Sequence, residues 1–501
     1  MTTKTVHSVE ETSTSTWSFD DVIAALHFVA VPTNIPLAGF SIDSRTLQPG
    51  QVFVALKGEN ADGHDFLQQA YDKGATLALV EKSDLPVLDG RSYLCVASTQ
   101  QALVDLAAYS RARSKATVTA VSGSVGKTTV RSWIASMLGH LGTTSSTIKN
   151  FNGQVGLPFS MLRLRPEDRF GVFEIGADAP GVILALSRLC QPHVAVLTPV
   201  GSAHLETFGS PENIAHEKAQ LFAGLVPGGK IVCDEGSCRR YPEILALARA
   251  SEAVNIVTVG FEEGASLRIL DVHSHAGKTE VRVKWQNEVL SYTLGASGKA
   301  FVLDSALALA GVVCTQFEGP VEHILEEHLT EIQHKILPLT SLWGALPGRG
   351  RVFQVHWPEG ATVTVVDDAY NANPESMLAG LEAFESMVIP HGGRKIAIIG
   401  DMLALGDQSE KAHDGLFERL ANSSIDKVYA VGPLSEKAYQ THIPSTKKGT
   451  WSPTVEHLPE ALERDLRRGD ALWLKASHAI GLESVVDMLW QRRTESSELA
   501  A

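Results

Sequence analysis

One stretch limits the folds open to this chain more than any other: Thr117 to Thr129, TVTAVSGSVGKTT. Thr117 to Val121 alternates β-branched and small apolar residues as a buried strand does, and Val130, Trp133, Ile134, Met137, Leu138 and Leu141 then recur at helical spacing. Between them lies a glycine loop, Ser122-Gly123-Ser124-Val125-Gly126-Lys127-Thr128. A strand that feeds such a loop into a helix N-terminus aims several backbone N–H groups and the positive end of the helix dipole at one spot. That spot suits a polyphosphate, with Lys127 in reach of the β- and γ-phosphates and the Thr128 hydroxyl placed to hold Mg2+. Val121 stands where the widespread G-x-x-x-x-G-K-[ST] pattern has its first glycine. A tight turn with a chance lysine is the plainer alternative, and the strand–loop–helix context favours nucleotide binding over it.

The rest of the chain must supply further domains, because 501 residues exceed what one core holds and about three domains is the natural division. A hydrophobic fraction of 44% with 20% charged residues is that of an ordinary globular protein. The net charge of −14 makes the chain a poor candidate for wrapping nucleic acid. The polar start, MTTKTVHSVEETSTSTW, lacks the apolar core of a secretory signal, and without a run of about eighteen apolar residues no membrane span is expected. The five cysteines are odd in number and without C-x-x-C pairing, which reads as reduced thiols of a cytoplasmic protein.

The order of elements predicts an α/β protein. Residues 1–17 read as a disordered tail. Residues 18–113 read as a small α/β domain, from a short helix at Phe19 through strands around a Pro-Gly turn to a helix from Thr99. Residues 114–340 read as a central domain whose strands, such as Phe170 to Ile175, His193 to Thr198 and Lys230 to Cys233, alternate with helices, which predicts a mainly parallel sheet. From Asn255 to Leu294 strands follow one another without helices, with TEVRVKW and VLSYTL pairing as a hairpin in a β extension. Glycine, proline and arginine break the pattern near LTSLWGALPGRGR, and residues 341–501 alternate again as a doubly wound, Rossmann-like domain without the G-x-G-x-x-G fingerprint.

In open α/β sheets, ligands meet the carboxyl ends of strands. Glu174 ends one such strand, in VFEIGA, and the phosphate loop upstream favours a metal-holding role for it over that of a carboxylate facing water. His204 and Lys218 follow the next strand, and each alone reads as a surface residue. Asn150 and Asn152 serve turns as readily as ligands. VVDDAYNANPESM is the densest polar run in the chain; a capped helix start explains Pro374 and Glu375 but poorly explains Asp367, Asp368, Asn371 and Asn373 together. Arg349, in PGRGR, is a cation on a domain boundary, able to swing onto a phosphate if the third domain closes over the second.

In this order, from about Ile42 to Val486, these stretches resemble the Mur ligases, the ATP-dependent amide-bond formers of peptidoglycan synthesis. IDSRTLQPGQVFVALKGENADGHDF is similar to the family's amino-terminal UDP-binding domain, and SGSVGKTT to its short phosphate loop. DDAYNANPESM resembles the branch that joins D-alanyl-D-alanine to UDP-N-acetylmuramoyl-tripeptide; the D-Y-A-H-x-P and D-N-P-R runs of the diamino-acid-adding branch do not occur. GDMLALGDQSEKAH and GDALWLKASHAIGLESVV point the same way. The resemblance implies three domains: a UDP-binding domain, a central P-loop domain and a C-terminal Rossmann-like ligase domain. It implies a cytoplasmic, monomeric enzyme with ATP and Mg2+ as cofactors, and UDP-N-acetylmuramoyl-tripeptide and D-alanyl-D-alanine as partners.

The resemblance also implies roles for individual residues. Gly123, Ser124, Val125, Gly126, Lys127, Thr128 and Thr129 would cradle ATP, Thr128 and Glu174 would hold one Mg2+, and His204 would ligate a second. Lys218 matches a lysine that the family carbamylates beside that second metal. Arg349 would meet the γ-phosphate, Asp368 the ribose and Asp304 the adenine. Ser44 and Arg45 match the UDP-sugar region, and Asn152, Asn371 and Asn373 the substrate side. The chain departs from the family at Ala300 and Asp304, where a G-x-H-N-x-x-N run is common, and at Lys475-Ala476-Ser477-His478, where the family carries K-G-S-R. Rival readings are a sister ligase that adds a diamino acid, or glutamates to folate, and a nucleotide-driven switch or transport ATPase; the N-K-x-D motif of a GTPase is absent. A non-catalytic binding protein would have no need of Lys127, Glu174, His204 and Lys218 together.

Overall fold

The computed structural model describes residues 16–29, 35–58, 61–82, 91–201, 205–253, 255–275, 278–357, 361–390 and 392–493, so most of the expected tail lies outside the described residues. The chain divides into two compact units, residues 1–117 with 142–173, and residues 118–141 with 174–501.

In the first unit Ser18 opens the helix Phe19–Ala25 with a reciprocal cap: its hydroxyl accepts from Asp21 N at 3.2 Å, and the Asp21 carboxylate accepts from Ser18 N at 2.7 Å. Trp17, counted with the tail on composition, belongs to the fold instead. It pairs with Leu37 in an antiparallel bridge, its ring meets Phe40 edge-on, and its indole N–H donates to Leu162 O at 2.8 Å. An indole gains most when its rings are buried and its one donor is satisfied, and both conditions hold here.

Four short parallel strands, Phe40–Ser41, Val52–Val54, Leu77–Val80 and Tyr93–Cys95, follow in spatial order, and the helix Thr99–Arg113 comes next in the chain. Residues 142–173 carry the strand Thr144–Ser146, parallel to Phe170–Glu174, and the helix Gly156–Met161. This segment, expected in the central domain, packs against the helix Thr99–Arg113. Ser110 Oγ donates to Met161 O and Leu164 O at 3.0 Å each, and Ser114 Oγ donates to Arg165 O at 3.1 Å. These hydroxyls meet the last carbonyl of the helix Gly156–Met161, which has no intrahelical donor, and two carbonyls of the turn that follows it.

The second unit contains the strands Thr117–Ser122, Val194–Leu197, Lys230–Asp234 and Asn255–Gly260, parallel neighbours in that order. The sheet continues through Leu267–His275 into Lys278–Trp285 and Glu288–Leu294, both paired antiparallel. Val194–Leu197 is buried throughout, as a strand covered on both faces must be, whereas Lys278–Trp285 alternates exposed and buried residues. The hairpin turns at Gln286, whose φ of +55° is one that few side chains tolerate, and Trp285 faces Glu288 across it.

Among the described residues the helix Lys299–Gln316 is the one long and apolar enough, by length and composition, to cross a membrane. Its position in the fold accounts for that composition: a Cβ on Gly311 would lie 2.7 Å from Ile134 Cδ1 and 3.3 Å from Val196 Cγ2, so the helix is packed between the helix Lys127–Leu141 and the sheet. A helix that is apolar all round is one that is covered all round.

The C-terminal part of this unit is a six-stranded sheet in the order Arg351–Trp357, Ala361–Asp367, Ala471–Lys475, Lys395–Gly400, Lys427–Val431, Lys448–Ser452. Only the first strand is antiparallel to its neighbour. Phe353, Val365, Leu472, Leu474, Val485 and Leu489 fill one face; Met377, Leu381, Phe384, Phe417 and Trp473 fill the other. This is the doubly wound arrangement predicted from alternation, with two edge strands, Arg351–Trp357 and Lys448–Ser452, that alternation did not reveal.

Candidate functional site

The glycine loop has the conformation that its composition predicts. Gly123 has φ +143° and Gly126 φ +84°. A Cβ on Gly123 would lie 2.1 Å from Thr198 Oγ1 and 2.7 Å from Thr198 O, and one on Gly126 would lie 2.3 Å from Asp304 Oδ1. No side chain fits either position. The loop is anchored on the segment that follows Val194–Leu197: Ser124 N and Val125 N donate to Pro199 O at 2.9 and 3.2 Å, and Ser124 Oγ donates to Gly201 O at 3.2 Å. The helix Lys127–Leu141 begins directly at the loop, so Lys127, Thr128 and Thr129 form its first turn. Lys127 Nζ donates to Gly123 O at 2.9 Å and Ser124 O at 3.2 Å, folding the lysine over the loop it is to serve.

Three further charged residues surround this lysine. Glu174, at the end of its strand, is 1% exposed. Arg131, one helical turn after Lys127 and so on the same face, places Nε 3.8 Å from Glu174 Oε2. Burial holds Lys127 and Arg131 below their ordinary values, with Glu174 pulling each up and Arg349 pushing each down. Arg131 is a residue of the candidate site that the motif reading missed, and its i+4 spacing from Lys127 was the available signal.

Lys218 is 2% exposed on the helix Pro211–Ala219, with Nζ 3.3 Å from Ala177 O. Its neighbour Glu217 fixes that helix by accepting from Gly181 N and Ile183 N at 2.8 and 2.9 Å, at the N-terminus of Val182–Cys190. Burial pushes the Lys218 amine down to about 7, Lys127's charge adding to the effect and Glu217 and Asp178 opposing it. An amine with this value is substantially neutral at physiological pH, which is the state that reacts with electrophiles. His204 lies outside the described residues.

Asp304 comes from the helix Lys299–Gln316 and rests its carboxyl against Gly126. Burial pushes that carboxyl up to about 7, with Arg349 opposing and Asp234 adding to the rise. The residue with which the sequence reading associates adenine therefore stands at the phosphate loop itself.

Arg349 reaches this site from the turn before the strand Arg351–Trp357. Its guanidinium lies over the Tyr370 ring, 4.2 Å from the centroid. From the same C-terminal part, Glu375 meets the loop segment at Gly201, where a Cβ would fall 2.8 Å from the carboxyl carbon. Asp368 is paired with Lys475 at 2.9 Å, and Lys475 also donates to Asn371 O at 3.0 Å. Asn373 caps the helix Pro374–Ser386, its Oδ1 accepting from Ser376 N at 2.8 Å.

The first unit holds the remaining candidates. Ser44 is buried and donates to Gln69 Oε1 at 2.6 Å, while the exposed Arg45 pairs with Asp43 at 2.8 Å. Asn152 sits in the turn after Thr144–Ser146, its N–H on Asn150 O at 2.9 Å. The second unit thus brings Lys127, Arg131, Glu174, Lys218, Asp304 and Arg349 to one place: a glycine loop at a helix N-terminus, with cations around it and two buried carboxyl groups, Glu174 and Asp304.

Three family models match the chain: "Mur ligase family, catalytic domain" over residues 36–111, "Mur ligase middle domain" over 121–312, and "Mur ligase, glutamate ligase domain" over 350–478. The chain is 31% identical over 425 residues to the UDP-N-acetylmuramoyl-tripeptide–D-alanyl-D-alanine ligase of Escherichia coli K12, covering 83% of this chain and 84% of that one. Among solved structures it is similar to MurF from Acinetobacter baumannii, with a TM-score of 0.77, 26% identity and coverage of 95% and 99%. It is also similar to MurF from Thermotoga maritima in complex with ADP, with a TM-score of 0.71, 29% identity and coverage of 90% and 97%.

Proposed function

Because the chain belongs to the Mur ligase family, we propose that it joins D-alanyl-D-alanine to the terminal carboxylate of UDP-N-acetylmuramoyl-tripeptide at the expense of ATP, in peptidoglycan synthesis. The observation that carries this reading is the gathering of Lys127, Glu174, Lys218 and Arg349 at one glycine loop, in a chain that aligns along most of its length with ligases of that name. The three-domain division, with boundaries near residues 114 and 341, belongs to the same reading, as do a cytoplasmic setting and a monomer. The five free cysteines suit a reducing compartment.

A carboxylate and an amine do not condense in neutral water, because the carboxylate is a poor electrophile and hydroxide a poor leaving group. Transfer of the γ-phosphoryl group of ATP onto the tripeptide carboxylate gives an acyl phosphate, which the D-alanyl-D-alanine amine attacks to form a tetrahedral intermediate and release phosphate. Lys127 and Arg349 would neutralise charge on the phosphoryl group in transit, and the loop N–H groups would hold the triphosphate in line. Glu375 and Tyr370 lie on the C-terminal part where it meets the loop segment, so the same contacts that deliver Arg349 would keep water from the acyl phosphate.

The donors fit a hard divalent cation: a hydroxyl at Thr128 and the buried carboxylate of Glu174 are oxygen ligands of the kind Mg2+ takes. No group of three His, Cys, Asp or Glu side chains that could hold a metal occurs among the described residues, so a second ion would need His204 and a carbamylated Lys218. When bound, magnesium would neutralise phosphate charge. The neutral amine favoured at Lys218 supports carbamylation, since only the unprotonated form adds carbon dioxide.

The test is phosphate release from ATP with UDP-N-acetylmuramoyl-tripeptide, with and without D-alanyl-D-alanine, following the UDP product by mass. Release that needs both substrates, with a product heavier by the dipeptide, is expected. Phosphate released without either, or addition of a single amino acid, would refute the assignment in favour of an ATPase or a sister ligase.

A further inference from the structure

The run Asp367-Asp368-Ala369-Tyr370 does more than lead into a helix. Asp367 holds the turn that presents Arg349 on both sides: its carboxylate accepts from Gly348 N at 2.7 Å, and its carbonyl accepts from Gly350 N at 2.7 Å. Tyr370 N donates to Gly348 O at 3.1 Å. Gly348 has φ +72°, and a Cβ there would fall 2.8 Å from Tyr370 Cβ, so the turn approaches the tyrosine as closely as glycine allows.

The two arginines of this segment are held differently. Arg351 places Nη2 3.0 Å from Asp367 Oδ2 and stacks 3.9 Å from the Trp490 ring centre. Arg349 has no carboxylate within ion-pairing distance among the described residues; its guanidinium rests on the Tyr370 face. The Tyr370 ring stacks in turn on His478, at 5.6 Å between centroids and 29° between planes, and His478 Nδ1 pairs with Glu483. A ring face attracts a guanidinium through its π cloud and leaves the in-plane N–H fork to an anion. A carboxylate partner would occupy that fork and cancel the charge. Arg349 acts electrostatically on Lys127, Arg131 and Asp304, which places that charge at the phosphate loop.

We propose that Tyr370 is a positioning residue for Arg349, its ring holding the guanidinium beside the phosphate loop so that the N–H fork meets the terminal phosphoryl group of the nucleotide. The proposal rests on the ligase reading above, in which Arg349 meets the γ-phosphate. It also accounts for His478, which departs from the family pattern in sequence: it supports the ring that supports the arginine.

The experiment compares Tyr370→Leu and Tyr370→Phe, each alone and combined with Arg349→Ala, in the full-length protein. Binding of ADP and of a non-hydrolysable ATP analogue is measured by calorimetry, and kcat and KM for ATP by phosphate release. Tyr370→Leu should weaken the analogue on the order of 10-fold and lower kcat to match, with ADP affinity unmoved. Tyr370→Phe keeps the ring and should recover most of the loss, and in the Arg349→Ala background Tyr370→Leu should have little further effect. Equal losses of ADP and analogue, multiplicative effects of the two substitutions, or a Phe variant as impaired as Leu would each overturn the proposal. Tyr370→Met takes the place of Leu if the latter does not fold. A wild-type protein that ligates neither substrate would refute the ligase reading, while the binding comparison, which needs no acceptor, judges the proposal separately.

Discussion

Replacing Lys218 with methionine should stabilise the protein at low pH and much less at high pH. The amine is 2% exposed, and burial brings it from its ordinary value of 10.5 to about 7. A displacement of that size corresponds to roughly 5 kcal/mol of folding free energy. Because the folded value lies below the unfolded one, the cost is borne in full below pH 7, where both states hold the proton. Between pH 7 and 10.5 the unfolded chain holds one more proton than the folded chain, so the cost shrinks as pH rises and is gone above 10.5.

Methionine fills a similar volume without the charge, so Lys218→Met should gain about 4–5 kcal/mol at pH 6.5 and only about 1 kcal/mol at pH 9.5. Urea denaturation followed by tryptophan fluorescence reads the difference, in carbonate-free buffer without magnesium so that the amine stays unmodified. Titrating groups remote from Lys218 cancel between variant and wild type, and its neighbours Lys127, Glu217 and Asp178 contribute less than burial does. A gain that is the same at both pH values, or a methionine variant less stable at pH 6.5, would refute the argument that Lys218 is a desolvated amine, and with it the chemical basis for its carbamylation.

Gly123→Ala should abolish ATP binding in calorimetry, because its Cβ would sit 2.1 Å from Thr198 Oγ1, whereas Gly139→Ala, in the helix that follows the loop and with nothing within 4 Å of its Cβ, should bind ATP normally and gain up to about 1 kcal/mol in thermal denaturation. The Asp304 carboxyl, at about 7, ionises beside the loop as pH rises while the Lys218 amine loses its proton over the same range, so Asp304→Asn should bind ATP on the order of five-fold more tightly than the wild type at pH 8.5 and about equally at pH 6. Cys95 is the one exposed thiol of five, so a chromogenic disulfide should titrate one equivalent in the native protein and five after unfolding.

Local pattern was enough wherever the chemistry was local. Thr117–Leu141 could be read because strand, glycine loop and helix are contiguous, and their φ requirements are written in the residue types themselves. The hairpin at Gln286 and the alternating C-terminal strands and helices were legible for the same reason, as periodicity reports burial directly. The edge strands Arg351–Trp357 and Lys448–Ser452 were not: the first alternates Phe353, Val355 and Trp357 with polar residues but follows directly on the glycine, proline and arginine run, and the second, KGTWS, is short and largely polar.

Glu174 and Lys218 could be named from their order along the chain and a family likeness, but their meaning depends on desolvation, which no single sequence position displays. Burial by neighbours remote in sequence turned Lys218 from a surface-type lysine into an amine near 7 and Asp304 from an ordinary aspartate into a carboxyl near 7. Arg131 and Tyr370 were decided by tertiary structure for a related reason: a side chain's role follows from what faces it, and only folding brings Glu174 to Arg131 or Arg349 to Tyr370. The sequence by itself determined the phosphate loop, the α/β class and the order of elements, because those follow from short-range sterics and periodicity. The tertiary structure alone decided which charges are stripped of water and that Arg349 meets a ring face where Arg351 meets a carboxylate, because electrostatic energies depend on distance and dielectric between groups remote in sequence, such as Lys127 and Arg349.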